Sequence, residues 1–298
     1  MRIIRSAFWV AGLVLLAASL VFFVHLSSSN REFSGDNTGW NGTSRFFSDL
    51  DRHRVEHIAG PAQLSLSWRN ATLLIIAPSR IPTGPEISAY RSFLDAGNTI
   101  IIADDFGTAN AILTGIGSTI SVLPGNLSSV DREYADFSSV VAYRAADGGP
   151  VENVYSILLN RPAALAGGTP LMRTSTLSWI DLNGDRRISR NEVLGVSVVM
   201  ASDPRWEGRL VVLSDPSIFI NAMADAGQAH DNRQLIRNLA DRGGPLLIDE
   251  MNSRTRDAGV LGEILHVIRT TVILKVLVIS VLLLILAWVW KRRFSEVI

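Results

Sequence analysis

Residues 71–107, ATLLIIAPSRIPTGPEISAYRSFLDAGNTIIIADDFG, leave this chain few ways to fold. Leu73–Ala77 and Thr99–Ala103 are short, nearly unbroken apolar runs rich in Ile and Leu, the pattern of strands buried on both faces. Between them Glu86–Ala96 carries Ile87, Tyr90, Phe93 and Leu94 on one stripe at helical spacing, and Gly97 stops it. Strand, helix and strand in this order make a crossover unit with parallel, neighbouring strands. The second strand ends in Asp104-Asp105-Phe106-Gly107. That places carboxylates at the carboxyl edge of the sheet, where open α/β sheets bind ligands.

The same alternation continues along the chain. Val55–Ile58, Val196–Ala201, Arg209–Ser214 and Leu246–Ile248 read as further strands. Helices are expected from Thr43 or Ser44 over Phe46, Phe47 and Leu50, over Thr108–Leu113, from Asp215-Pro216-Ser217 through Phe219, Ile220 and Met223, and over Asp231–Asp241. Residues 115–194 are different: Ile120–Leu123, Ser139–Tyr143, Tyr155–Leu159 and Leu171–Thr174 are strand-like and punctuated by Gly and Pro. They predict a β-rich, antiparallel insertion in an α/β fold whose sheet is mainly parallel.

The two ends carry the apolar excess. Residues 6–26 and 270–290 are each long enough to span a bilayer as transmembrane helices, with Lys275 near one end of the second. Arg2 and Arg5 precede the first span, and Lys291, Arg292 and Arg293 follow the second. The positive-inside rule therefore puts residues 1–5 and 291–298 in the cytoplasm and residues 27–269 outside, as an extracytoplasmic domain on the cell membrane. The first apolar run exceeds a signal-peptide core, so an uncleaved anchor is expected.

There is no cysteine, which removes disulfides, thiolate catalysis and thiolate-bound metals. With 28 basic and 28 acidic residues the chain has no electrostatic footprint for nucleic acid. No nucleophile elbow, P-loop, dinucleotide fingerprint or His-Glu-x-x-His is present, and His53, His57, His230 and His266 lack ligand spacing. No catalytic residue is assigned on these grounds.

Three strands end in acid-containing motifs, IIIADDFG, VVLSDPS and LLIDEMN. Asp104, Asp105, Asp215, Asp249 and Glu250 are thus candidates for one polar ligand site, with Asn110, Ser217 and Asn221 nearby. The competing reading is that such acids cap the helices that follow. The loop Asn30–Ser44, with Asn30, Arg31, Asn37 and Ser44, leads into a helix start that suits an anion.

The most specific motif is Asp181-Leu-Asn183-Gly-Asp185-Arg-Arg187-Ile-Ser-Arg-Asn-Glu192. It fills the ligand positions of a twelve-residue calcium loop, with Asp181, Asn183, Asp185 and Glu192 giving side chains and Arg187 a carbonyl. Arg186 stands where such loops carry Gly, and an Asx-turn held by its own side chains is the alternative.

Taken together, SNREFSGDNTGWNGTSRF, LLIIAP, FLDAG, IIIADDFGTANAIL, VVLSDPSIFIN, Asp231-Asn232 and LLIDE resemble the membrane-anchored domain-of-unknown-function 4350 (DUF4350) family. The resemblance implies a flavodoxin-like, class I glutamine amidotransferase-like three-layer sandwich. It also implies association with MoxR-type ATPases or other membrane-anchored surface proteins. Amidotransferases use a Cys nucleophile, so that activity does not transfer to a chain without one. The expectation is a membrane-tethered binding or scaffold module. The alternatives are an acid- or metal-dependent hydrolase at the sheet edge and an accessory subunit of a transporter or ATPase assembly.

Overall fold

The computed structural model describes residues 29–255 except 51–54, 65–66, 132, 135, 227–228 and 242, with a few positions between 17–23 and 264–268, and residues 271–295. Most of the first apolar segment lies outside the described residues.

Twelve strands form one mixed sheet. They are β1 (Val55–Ile58), β2 (Thr72–Ile76), β3 (Thr99–Ala103), β4 (Ser121–Ser129), β5 (Ser139–Arg144), β6 (Ser156–Asn160), β7 (Ala163–Ala166), β8 (Thr169–Thr174), β9 (Ser178–Asp181), β10 (Val198–Asp203), β11 (Arg209–Leu213) and β12 (Leu246–Asp249). The helices are α1 (Ser44–Asp49), α2 (Gly84–Asp95), α3 (Asn110–Ile116), α4 (Asn221–Ala226), α5 (Asn232–Ala240) and α6 (Val272–Ser295), with short 3₁₀ turns at Pro61–Gln63, Gly149–Val151 and Pro216–Phe219.

One half of the sheet is parallel, in the order β1-β12-β2-β3-β11. The other half, from β10 onward, is antiparallel and holds the β-rich segment predicted from the sequence. Numbered along the chain, the parallel strands run 1-5-2-3-4, in place of the 2-1-3-4-5 order of a flavodoxin-like sheet.

Side chains of successive strand residues point to opposite faces, and the burial follows that rule. Leu74, Ile76, Ile101, Val211, Leu213, Leu246 and Ile248 join one core with Phe46 of α1, Met223 of α4 and Leu235 and Leu239 of α5. Leu73, Ile75, Ile100, Ile102, Val212 and Leu247 join a second core with Tyr90, Phe93 and Leu94 of α2 and Ile112, Leu113 and Ile116 of α3. Helices therefore cover both faces of the parallel half, and burial on both faces is why its strands read as continuous apolar runs.

Some boundaries depart from expectation for visible reasons. Pro124-Gly125 does not end the strand after Ile120–Leu123. It forms a bulge with Gly125 at φ 85° and a register shift, and β4 continues to Ser129. After the strand expected over Leu171–Thr174, a turn at 175–177 leads into a further short strand, β9. The single helix expected after Asp215 breaks at Ile220, because the N–H groups of Asn221 and Ala222 donate to Gly42 and Trp40 carbonyls in the 29–43 loop.

Helix α6 is 24 residues long, with side chains described to residue 284. Among the described residues no helix is long and apolar enough to cross a membrane. Lys275 of α6 lies over the Phe23 ring at 5.1 Å.

Candidate functional site

Strands β2, β3, β11 and β12 all point their carboxyl ends to one edge, and the 29–43 loop is tied down over it. Gly35 N donates to Thr255 O, and Thr43 Oγ1 donates to Phe33 O at 2.8 Å. Phe33, 1% exposed and at φ 62°, meets the Phe106 ring edge-on at 6.3 Å. The Arg254 guanidinium covers Phe106 at 4.4 Å. Asn221 reaches into the loop from α4, donating through Nδ2 to Asn37 O and Gly39 O and accepting from Arg45 N at 2.9 Å. A Cβ on Gly42 would lie 1.9 Å from Asn37 O, so this packing requires glycine there.

Beneath the loop, most strand-end acids are held by hydrogen bonds or an ion pair within the fold. Asp104 is fully buried and accepts from Phe106 N at 3.1 Å and Ala109 N at 2.7 Å. Asp215 is fully buried and accepts from Ser217 N at 2.7 Å and Asn160 N at 2.6 Å. Burial pushes the Asp104 carboxyl above the usual carboxylate range in spite of its backbone donors and Arg254. It pushes Asp215 up to about 7. Asp105 differs from both. Its Oδ1 is buried with no hydrogen-bond partner among the described residues. Its pKa rises to about 8, first through burial and then through the neighbouring charges of Asp215, Asp104 and Glu32. Such carboxyls cannot all ionise together, and at neutral pH they hold a proton between them. Ser214 Oγ, Asn252 Oδ1 and Thr255 Oγ1, all in segments that follow β11 and β12, are also buried without partners.

Asp249 and Glu250 do not join that group. In the sheet β2 separates β12 from β3, a distance of roughly 10 Å at the usual strand spacing. Fully buried Asp249 accepts from Tyr90 OH at 2.6 Å, Asn252 N at 2.6 Å and Ser253 N at 3.2 Å, and burial raises it to about 6. Tyr90 in turn is pushed well above its usual range by burial and by Asp249. Glu250 turns to the edge strand, where it meets His57 Nδ1 at 2.7 Å. The single site expected from three strand ends is thereby reduced to Asp104, Asp105 and Asp215.

The polar candidates around it are also engaged internally. Asn110 pairs with both backbone groups of Val122, holding α3 to β4. Asn37 bonds Arg31 O, Asn41 Oδ1 and Gly39 N within its loop, and Ser44 bonds Asn221. Ser217 serves Asp215 through its N–H, while Asn30 and Arg31 stay exposed on the loop.

In the calcium-type loop, carboxylate oxygens of Asp181, Asp185 and Glu192 lie within 4.8 Å of one another. Oxygens bound 2.3–2.6 Å from one Ca²⁺ sit at such separations, so this donor set fits the ion. Asp181 accepts from Gly184 N at 2.7 Å and Arg186 N at 2.9 Å, and Glu192 accepts from Leu182 N and Ser189 N. Arg186, in place of Gly, takes φ 59° and Gly184 takes φ 74°, so two left-handed residues make the turn. Each carboxylate oxygen still has accepting capacity after one backbone bond.

One constellation gave no sequence signal. His230, its side chain 6% exposed, contacts Ser156 Oγ through Nδ1 at 2.9 Å and Glu133 through Nε2 at 3.0 Å. The N–H groups of Tyr155 and Ser156 are both taken by Asp231, so no oxyanion donor remains beside Ser156.

Fold and site together define a mixed α/β domain with buried strand-end acids, one of them with an unsatisfied carboxylate oxygen among the described residues. The profile of the family described as Domain of unknown function (DUF4350) matches residues 35–240, and the chain belongs to that family. No curated protein matches it. Among solved structures it is similar to the mmIFT52 N-terminal domain, at 12% identity, 65% of this chain, 84% of that one and a TM-score of 0.41. A beta-galactosidase from Bacillus circulans sp. alkalophilus matches at 10% identity, 59% of this chain, 23% of that chain and a TM-score of 0.36. These likenesses carry no functional argument.

Proposed function

We propose that this chain is a membrane-tethered, extracytoplasmic binding module whose ligand is a small polar molecule rich in N–H or O–H donors, seated at Asp105. The observation that carries the reading is the buried, partnerless Oδ1 of Asp105 beside Asp104 and Asp215. A buried acceptor left without a donor is costly, and nothing in the fold gains from it. A ligand donor supplies the missing bond. The test is a thermal-shift screen of the full chain with free amino acids, polyamines and mono- and oligosaccharides. A ligand should raise the melting temperature of the wild type and leave Asp105→Asn unmoved; equal shifts in both, or none in either, sink the reading.

The tether rests on residues 6–26 and 270–290 and on the basic residues at their cytoplasmic ends. The amidotransferase-like sandwich is supported by helices on both faces of a parallel half-sheet, although the strand order differs. Calcium at Asp181, Asp185 and Glu192, with Asn183 and the Arg187 carbonyl, serves as a structural clip at one end of the antiparallel half. A MoxR-type ATPase in the cytoplasm would reach only residues 1–5 and 291–298 in this topology, and pull-down with and without those tails tests that partnership.

A second reading, hydrolysis, is favoured by the raised pKa values of Asp105 and Asp215, both pushed up first by burial, which suit carboxyls to acid–base work. Turnover of the same sugars that survives Asp215→Asn would remove it.

A further inference from the structure

A cavity of about 790 Å³ lies on the other side of the Pro216–Phe219 turn from the acids, between α1, α4, α5 and the start of β12. Its volume is that of a small-ligand site. The floor is apolar, built by Phe46, Phe219, Ile220, Ile236 and Leu246. Among the described residues its rim carries Arg45, Arg233 and Arg237 against Asp49 and Asp241, one positive charge in excess. We propose that this cavity binds a single-chain amphiphile with an anionic head, a carboxylate or a phosphate, with its chain on the floor and its head at Arg233 and Arg237.

Three observations carry this, none of them part of the Asp105 site. Arg233 and Arg237 are exposed, one turn apart on α5, and neither forms an ion pair among the described residues. Like charges at this spacing weaken a helix, and an anion between them reverses that effect. Arg233 sits in the first turn of α5, where the helix dipole also favours an anion. Arg233 is held across the opening by a 3.4 Å contact from its Nη2 to Ala224 O, so its charge faces the mouth of the cavity. An uncharged lipid would leave both guanidinium groups unused, and a free anion would leave the apolar floor bare. The amphiphile satisfies both parts of the lining.

The test uses the full chain in phosphatidylcholine nanodiscs with a photoreactive diazirine palmitate. Labelling is expected on peptides containing Phe46, residues 218–220 or Ile236. The exposed pair Arg233→Glu/Arg237→Glu should cut it about tenfold, the scale of losing charge-assisted bonds at a part-solvated rim. Ala224→Trp, which narrows the cavity without touching its charge, should also abolish labelling. Competition by hexadecyl phosphate but not by hexadecanol supports the anionic head, and the stronger competitor of phosphate and unlabelled palmitate identifies it. Labelling confined to residues 272–284, labelling unchanged in both variants, or equal competition by hexadecanol overturns the proposal.

Discussion

Asp105→Asn should make the protein more stable at alkaline pH, an unusual outcome for a change at a candidate site. Asp105 is raised from about 3.8 when unfolded to about 8 when folded. Between those values the folded chain holds a proton that the unfolded chain has released, so stability falls as pH rises from about 4 through 8. Converted whole at about 1.36 kcal/mol per pH unit, the shift would cost roughly 6 kcal/mol above pH 8. Sharing the proton with Asp215 and partial solvent contact reduce this, and ~1–3 kcal/mol is the expected loss. The asparagine is isosteric and neutral, so it has no charge to desolvate. Below about pH 4 the two proteins should match; at pH 9 the variant should melt about 3–10 °C higher, at the usual few degrees per kcal/mol for a domain of this size. Trp179, buried on β9, reports the transition by fluorescence. Parallel melting curves from pH 5 to 9, or a variant destabilised throughout, would refute the reasoning.

Tyr90→Phe removes the phenol that donates to Asp249 and accepts from Asn252, and should cost about 1–3 kcal/mol in urea unfolding, the penalty for an unsatisfied buried group. Calorimetry of the wild type with Ca²⁺ should show weak binding near the roughly 10⁻⁴–10⁻³ M of extracellular modules, absent in Asp181→Ala. No heat up to about 10 mM, well beyond that range, would leave the loop a turn alone. Protease added to intact cells should digest the domain and spare tags at both termini; a C-terminal tag cut from outside contradicts the topology.

How much of this was legible depends on the range of the interactions. Strands β2, β3, β11 and β12 are visible because burial on both faces forces an apolar run, whatever the partner strand. β7, Ala163–Ala166, offers only Ala and Leu, which carry no strand signal, and it was not expected. Pro124-Gly125 reads as an end in any local window, since only pairing with β9 beyond the bulge reveals that the strand resumes. The break at Ile220 is set by Gly42 and Trp40, far away along the chain. Arg186 shows the reverse case: its left-handed turn follows from the motif alone.

The acids divide in the same way. A strand-end Asp is legible, but its partner is not: Asp215 is satisfied by Asn160 and Asp249 by Tyr90, both distant in sequence. Asp105 stands out only after those bonds are assigned, because it is the strand-end acid left with a buried oxygen and no donor. The acids and the large cavity then prove to be separate: none of Asp104, Asp105 or Asp215 lines the 790 Å³ space, and only the Pro216–Phe219 turn lies between. General acid–base catalysis requires a carboxyl within hydrogen-bond reach of a substrate held in a pocket. Here the carboxyl with the shifted pKa lies under a pinned loop, while the space that would hold a substrate is lined by arginine and apolar side chains. A site that accepts one small donor needs no such room.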